Sequence, residues 1–190
     1  MTTVAPQPGA GYVVKRADRR HLRDVPAIEQ AAVTLFSVED VPLALRFRVT
    51  APEPLAEAQR DGRLWVAENA AGKTVGFALA EIVDGEAYLT EVDVHPAHAR
   101  QGIGTRLVQT VAGWAAGQGF AFLLLVTFRH LPWNAPFYRK LGFEAVPPGD
   151  MGPELRGIFD EEAQAGIDPG KRVAMRLALP GRGRAGGEPA

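Results

Sequence analysis

The chain of 190 residues contains no cysteine, which excludes disulfides, thiolate metal ligands and a cysteine nucleophile. It also lacks long apolar runs. None approaches the ~18 residues that a bilayer-spanning helix needs, so no membrane partner is expected. Neither sign of charge dominates: 21 Lys and Arg stand against 22 Asp and Glu, for a formal charge of −1. Without a basic excess or a Lys/Arg block, nucleic acid is not an expected partner. The first residues, MTTVAPQPGAG, lack the basic-then-apolar pattern of a secretion signal, and the cytoplasm is the expected location.

What is present reads as a soluble globular domain, with 46% hydrophobic residues to fill one core. Pro, Gly and Thr concentrate in residues 1–11, and PGRGRAGGEPA closes the chain from 180 to 190. Both ends are expected to be loose, leaving one domain over 12–179.

Along that domain, YVVKRA (12–17) reads as a first strand. Leu22, Val25, Ile28, Ala32 and Leu35 recur at steps of three and four, which predicts one helical face over 19–36. VPLALRF and PEPLAEAQRDG predict a shorter second helical region ending at Asp61-Gly62. Three strands follow at 64–70, 74–83 and 87–94, joined by Ala71-Gly72 and Asp84-Gly85, which predicts antiparallel neighbours. A helix over 104–118 turns Leu107, Val108, Val111, Ala112 and Ala115 inward. FAFLLLVTF (120–128) is apolar enough for a central strand covered on both faces. NAPFYRKLGF (134–143) predicts a short helix with Asn134 as N-cap and Gly142 as its stop. A further amphipathic helix at 154–166 and a closing strand at 172–179 complete a mixed α/β order around one sheet.

The densest stretch is VDVHPAHARQGIGTRLV (92–108), where a β-branched strand passes through a turn straight into a helix. Amides from about Ala99 to Thr105 then converge at the positive end of that helix, a place suited to an anion. Gly102 and Gly104 keep side chains out of the way, and Arg100 and Arg106 add positive charge. The turn matches neither a Walker loop nor the three-glycine Rossmann fingerprint. By itself it fits phosphate binding and a bare tight turn equally well.

Taken in order, Val92-Asp93-Val94-His95-Pro96, the Arg100-Gln101-Gly102-Ile103-Gly104-Thr105 turn and the Asn134-x-x-x-Tyr138-x-x-x-Gly142-Phe143 helix resemble the GNAT acyltransferase superfamily. The resemblance extends over roughly 12–179 and is most specific over 87–143. It implies an α/β (α+β) fold, with a single mixed, mostly antiparallel sheet flanked by helices. It also implies acetyl-CoA as co-substrate and transfer of its acetyl group to a primary amine of a small molecule or peptide. Val92, Asp93 and Val94 then match the strand whose backbone meets the pantetheine arm. Ala99 and the turn Arg100, Gln101, Gly102, Ile103, Gly104 and Thr105 match the wrap around the pyrophosphate. Asn134 matches the polar residue near the pantetheine arm, and Tyr138 the tyrosine beside the thioester sulfur. Ala99 departs from the pattern, since the family often has Arg or Gln there, which leaves the holding to backbone amides. A homodimer is implied by analogy alone.

Amide formation from a thioester needs an amine freed of its proton, a donor for the oxyanion and a proton for the departing thiolate. Tyr138 is the candidate proton donor; the alternative is a core aromatic paired with Leu141. Glu91 is the candidate base, on a strand face it shares with Asp93; the alternative is a solvated face. His95 and His98 flank a turn with no third ligand in zinc spacing, so no metal is expected. His130 and Trp133 are candidates for the acceptor pocket. Glu39, Asp40, Asp150 and Glu154 fall in segments expected to border the cleft and favour a cationic acceptor. Two other readings stay open: a non-catalytic acyl-CoA-binding or regulatory module on the same fold, and an unliganded domain with a tight strand-to-helix turn.

Overall fold

Alternating apolar runs separated by glycine turns fold as hairpins, and they build half of one seven-stranded sheet. The computed structural model describes residues 11–180. The ends expected to be loose lie outside the described residues, apart from Gly11 and Pro180. Strands β1 (Tyr12–Arg16), β2 (Leu64–Asn69), β3 (Thr74–Val83) and β4 (Glu86–Val94) pair antiparallel in succession. At the β3–β4 turn both Asp84 (φ 51°) and Gly85 (φ 75°) are left-handed, the backbone that a two-residue hairpin turn requires.

The second half of the sheet is built differently. After the crossover helix α4 (Ile103–Gln118), strand β5 (Phe122–Phe128) lies parallel to β4, and β7 (Arg172–Ala178) lies antiparallel to β5. A two-residue strand β6 (Glu144–Ala145) forms the edge, giving the order β1-β2-β3-β4-β5-β7-β6. β7, expected only as the closing strand, is therefore internal. So short an edge strand, with both residues exposed, has no alternation by which a sequence could announce it.

Helices cover both faces. On one, α4 buries Leu107, Val108, Val111 and Ala115, and its Trp114 ring lies 5.3 Å from that of Trp65 on β2. Helix α5 (Ala135–Lys140) joins the same core through Ala135 and Phe137. On the other face, α1 (Val25–Ala32) and α3 (Pro52–Arg60) pack on Phe77 and Leu79, while α6 (Pro153–Gln164) covers Tyr88, Leu124 and Ala174. The Asp84 carboxylate accepts the Glu154 and Leu155 amides at 3.0 Å each, and Glu154 accepts the Asp84 amide in return. The hairpin turn thus caps α6 from seventy residues away in sequence.

Two helical expectations are corrected. Residues 19–36 are not one helix: a 3-10 turn (Arg19–Arg23) capped by Asp18 precedes α1, and a second 3-10 turn (Val33–Leu35) follows it. Pro26 offers no N–H to a preceding turn, so the α-helix starts anew beside it. Leu35 lies beyond the end of α1 and is 47% exposed instead of facing the core. The second helical region is likewise two pieces, α2 (Leu43–Arg46) and α3, separated by an irregular link.

Gly76 on β3 pairs with Val94, and a Cβ there would lie 2.9 Å from the Asp93 carbonyl oxygen. Gly76→Ala is expected to push β4 away and lower stability by ~1–3 kcal/mol, the usual range for overpacking. A thermal melt unchanged from that of the parent would contradict this close approach.

Candidate active site

β4 gains one extra residue at its centre. Leu79 pairs with Glu91 but the next residue, Ala80, pairs with Leu89, so Thr90 is bulged out. Because side chains alternate along a strand, one inserted residue reverses every face assignment beyond it. Ala87 and Leu89 belong to the α4 core, and past the bulge Val92 and Val94 join that same core. Glu91 and Asp93, opposite Leu79 and Phe77, turn instead to the α1 side.

The bulge coincides with a split in the sheet. β4 and β5 pair only at Ala87↔Leu123 and Tyr88↔Leu124, whereas β5 follows β7 over seven positions to Phe128↔Arg172. Beyond Tyr88 the parallel strands part. A cleft of about 410 Å³ occupies the opening. Its walls include Val92, Asp93 and Val94 from β4, the turn leading into α4, and Asn134, Phe137 and Tyr138 at α5.

At the α4 end of this cleft Arg100 (φ 61°) and Gly102 (φ 74°) are both left-handed. For arginine that conformation is strained, and such strain concentrates where backbone groups are aimed at a ligand. Gly102 is the N-cap, no side chain caps the helix, and no acidic residue occupies its first turn. The Ile103, Gly104 and Thr105 amides therefore have no partner within the helix, and all three residues line the cleft at the helix's positive end. Gly104 is ordinary helix; a Cβ there would meet only Phe137 Cζ, at 3.8 Å. The fold therefore does not require glycine at this position. Ala99, Arg100, Gly102, Ile103, Gly104 and Thr105 all line the cleft; Gln101 is exposed and does not. Arg106 is directed elsewhere, donating to the Tyr12 carbonyl at 2.7 Å.

Asn134 occupies the N-cap position of α5, but its side chain does not cap the helix. It is buried and lines the cleft. Tyr138, half-buried on α5, packs against Phe137 and Phe143. Burial, with Asp93 adding, raises its phenol above the ordinary value, so it holds its proton. Trp133 lines this cleft and not a separate acceptor pocket, while His130 lies 3.2 Å from Asp40.

A second cavity, of about 450 Å³, opens on the other side of β4. It is lined by Glu29, Glu91, Asp93, Thr50 and Arg48 together with Val33, Phe36, Val41, Leu45 and Val49. Only Phe36 and Asp93 belong to both cavities. Three carboxyl groups converge here. Glu29 accepts Thr50 Oγ1 at 2.5 Å and the Thr50 amide at 3.1 Å, and Thr50 Oγ1 lies 3.5 Å from Glu91. Burial, then the nearby Asp93 and Glu29, raises Glu91 well above the usual carboxylate range. Asp93 is pushed up to about 7, by burial first and also by Glu29, against a hydrogen bond with Glu91 that lowers it.

The acidic side of the site differs from the sequence expectation. Asp40 is buried in an ion pair with Lys171 (2.8 Å), which holds its carboxyl below the usual range. Asp150 pairs with Arg176 and Glu154 caps the hairpin turn; neither they nor Glu39 and Asp40 line either cavity. Glu29 takes their place. Its one sequence signal is a carboxylate on the inward stripe Val25–Ile28–Glu29–Ala32, where an apolar residue would be ordinary.

Comparison with known proteins agrees with this geometry. Residues 60–145 match the family model described as Acetyltransferase (GNAT) domain, a span that contains β4, the turn and α5. Among solved structures, Rv2747 from Mycobacterium tuberculosis, in complex with CoA, superposes with a TM-score of 0.60 at 24% identity, over 88% of this chain and 99% of that one. The ribosomal-protein-S18-alanine N-acetyltransferase of Escherichia coli gives 0.62 at 19% identity, over 93% and 99%. The PaiA N-acetyltransferase of Thermoplasma acidophilum, in complex with coenzyme A, gives 0.63 at 15% identity, over 88% and 99%. Residues 60–145 thus match a GNAT acetyltransferase domain across both site motifs, and the fold of these solved structures is shared along most of the chain's length.

Proposed function

We propose that this protein is an acetyl-CoA-dependent N-acetyltransferase acting on a primary amine. The observation that carries the reading is the meeting of two cavities at Asp93, one with anion-seeking amides and the other with carboxyl groups. In this reading the Gly102–Thr105 amides hold the diphosphate of CoA, Arg100 adds charge, and Val92–Val94 with Asn134 flank the pantetheine arm. CoA complexes of the Mycobacterium and Thermoplasma structures support the same use of the cleft.

The amine enters from the acidic side as a cation and gives its proton to the Glu91–Asp93 pair. Its nitrogen then bonds to the thioester carbonyl carbon, the C–S bond breaks, the thiolate takes a proton from Tyr138, and the second proton that the nitrogen sheds in becoming an amide restores the phenol. Asp93, titrating near neutrality, is matched to the base role, and Tyr138, whose raised phenol keeps its proton until the thiolate leaves, to that of acid. Glu91 acts with Asp93 by sharing a proton. The same cleft without turnover would make the protein an acyl-CoA-binding module. The two carboxyls and the phenol arrayed around Asp93 favour the enzyme.

Saturating CoA should raise the melting temperature by about 5–10 °C, from ~2.7 kcal/mol at one hundred times Kd. Gly104→Ala should melt no lower than the parent without ligand, because the Cβ has room, yet lose most of the CoA shift. A full shift in that variant would remove the turn from the binding site.

Tyr138→Phe and Glu91→Gln should each lower turnover about a hundredfold, the lower end for general acid–base groups, while CoA still stabilises both. Turnover within threefold of the parent would take that residue out of the chemistry.

For Asp93 the folded form binds its proton more tightly than the unfolded chain does. Its contribution to stability is therefore present at low pH and is lost as pH rises from about 4 towards about 7. Parent activity should climb through pH 7 over the range where parent stability falls. Asp93→Asn should melt higher than the parent at pH 8 while losing activity. A variant less stable than the parent at pH 8 would contradict a raised carboxyl.

A further inference from the structure

Resting on the acetyltransferase reading, the acceptor cavity carries a statement about what kind of amine it takes. Its carboxyl groups account for one cationic head. The rest of the wall is apolar: Val33 beyond α1, and Phe36, Val41, Leu45 and Val49 from the link between α1 and α3. Five branched or aromatic side chains around about 450 Å³ leave far more width than the unbranched methylene chain of a lysine needs. That volume lies within the ~300–1,000 Å³ usual for small-molecule sites. The apolar character continues outward, since Leu43 (62% exposed) and Phe47 (79%) flank the lining residues of the same segment.

Arg48 is the one basic residue of the lining, and it is exposed while the carboxyls are set inward. A second ammonium reaching outward from the first would meet it and be repelled. A carboxylate bonded to the carbon that bears the amine would lie beside Glu29, Glu91 and Asp93 and be repelled there. The link itself is tied down near its middle, by Asp40 on Lys171, and close to its far end, by Thr50 on Glu29. The apolar wall is thus a fixed part of the site.

We infer that the acceptor is a small, singly charged primary amine on an aryl or branched-alkyl body, without a carboxylate beside the nitrogen: Glu91 and Asp93 receive the head, the wall from Val33 to Val49 holds the body, and Arg48 excludes polyamines.

The test measures thiol release from acetyl-CoA by the full chain with 2-phenylethylamine, 3-methylbutylamine, phenylalanine, spermidine and a lysine-containing peptide. The two apolar monoamines should exceed the other three in kcat/KM by about tenfold or more, an interaction difference of ~1.4 kcal/mol. Leu45→Ala should raise KM for 2-phenylethylamine about fivefold with kcat nearly kept, the mark of lost uniform binding. Arg48→Glu should raise the ratio of spermidine to 2-phenylethylamine turnover about tenfold. Preference for spermidine, phenylalanine or the peptide in the parent, or an unmoved ratio in Arg48→Glu, would overturn the inference and leave the acetyltransferase reading standing. Silence with every amine, in a protein that CoA still stabilises, would overturn that reading and this inference with it.

Discussion

One extra residue in β4, Thr90, organises the site. Were Thr90 paired regularly, with no bulge, the strand would carry Glu91 and Asp93 into the packed core beneath α4, where Ala87 and Leu89 already point. With it, Val92 and Val94 take those inward positions and the two carboxyls are delivered to the opposite face. The bulge also falls where β4 leaves β5, and strand bends and added twist accompany such insertions. Face reversal and strand separation therefore arise together, and the cleft and the acidic cavity share β4 as their common wall.

The two sides of that wall have opposite electrostatic character. The α4 end offers orphan amides, the helix dipole and Arg100, all suited to negative charge. The α1 side offers three carboxyls, and burial with nearby negative charge makes Glu91 and Asp93 easier to protonate than in water. Such a cluster is a standing cost to the folded state at neutral pH, and it survives because the surrounding structure holds it. Glu29 is gripped by the hydroxyl and amide of Thr50. Among the described residues no group of His, Asp and Glu is placed to hold a metal ion.

Long-range ties keep the irregular segments in place where regular elements run out. Asp40 binds Lys171 and sits 3.2 Å from His130, joining the link after α1 to the segment before β7. Asp84 and Glu154 exchange caps between the hairpin and α6. Asp40 and Glu154, two of the acidic residues that the sequence suggested for an acceptor site, are consumed in these ties. A carboxylate in a loop is as serviceable for anchoring as for recognition, and only its neighbours decide which.

Periodicity and turn chemistry made most elements legible in advance. The β2–β3–β4 meander, the α4 stripe and the stop at Gly142 all follow from local rules, since each depends on residues within one or two turns of chain. The Gly102 turn and the Tyr138 helix were readable for the same reason. The break of the first helix at Pro26 and the two-residue edge strand were not, because one depends on competing caps and the other has too few residues to show a period. Nor was the acidic cavity. Glu29, Thr50 and Asp93 come from three separate segments, and what makes them a site is their mutual distance across the bulged strand. By itself the sequence determined where most strands, turns and helices lie, because those follow from neighbours along the chain. The tertiary structure decided which carboxylates meet, because charge proximity between distant segments is a property of packing and leaves no periodic trace in the chain.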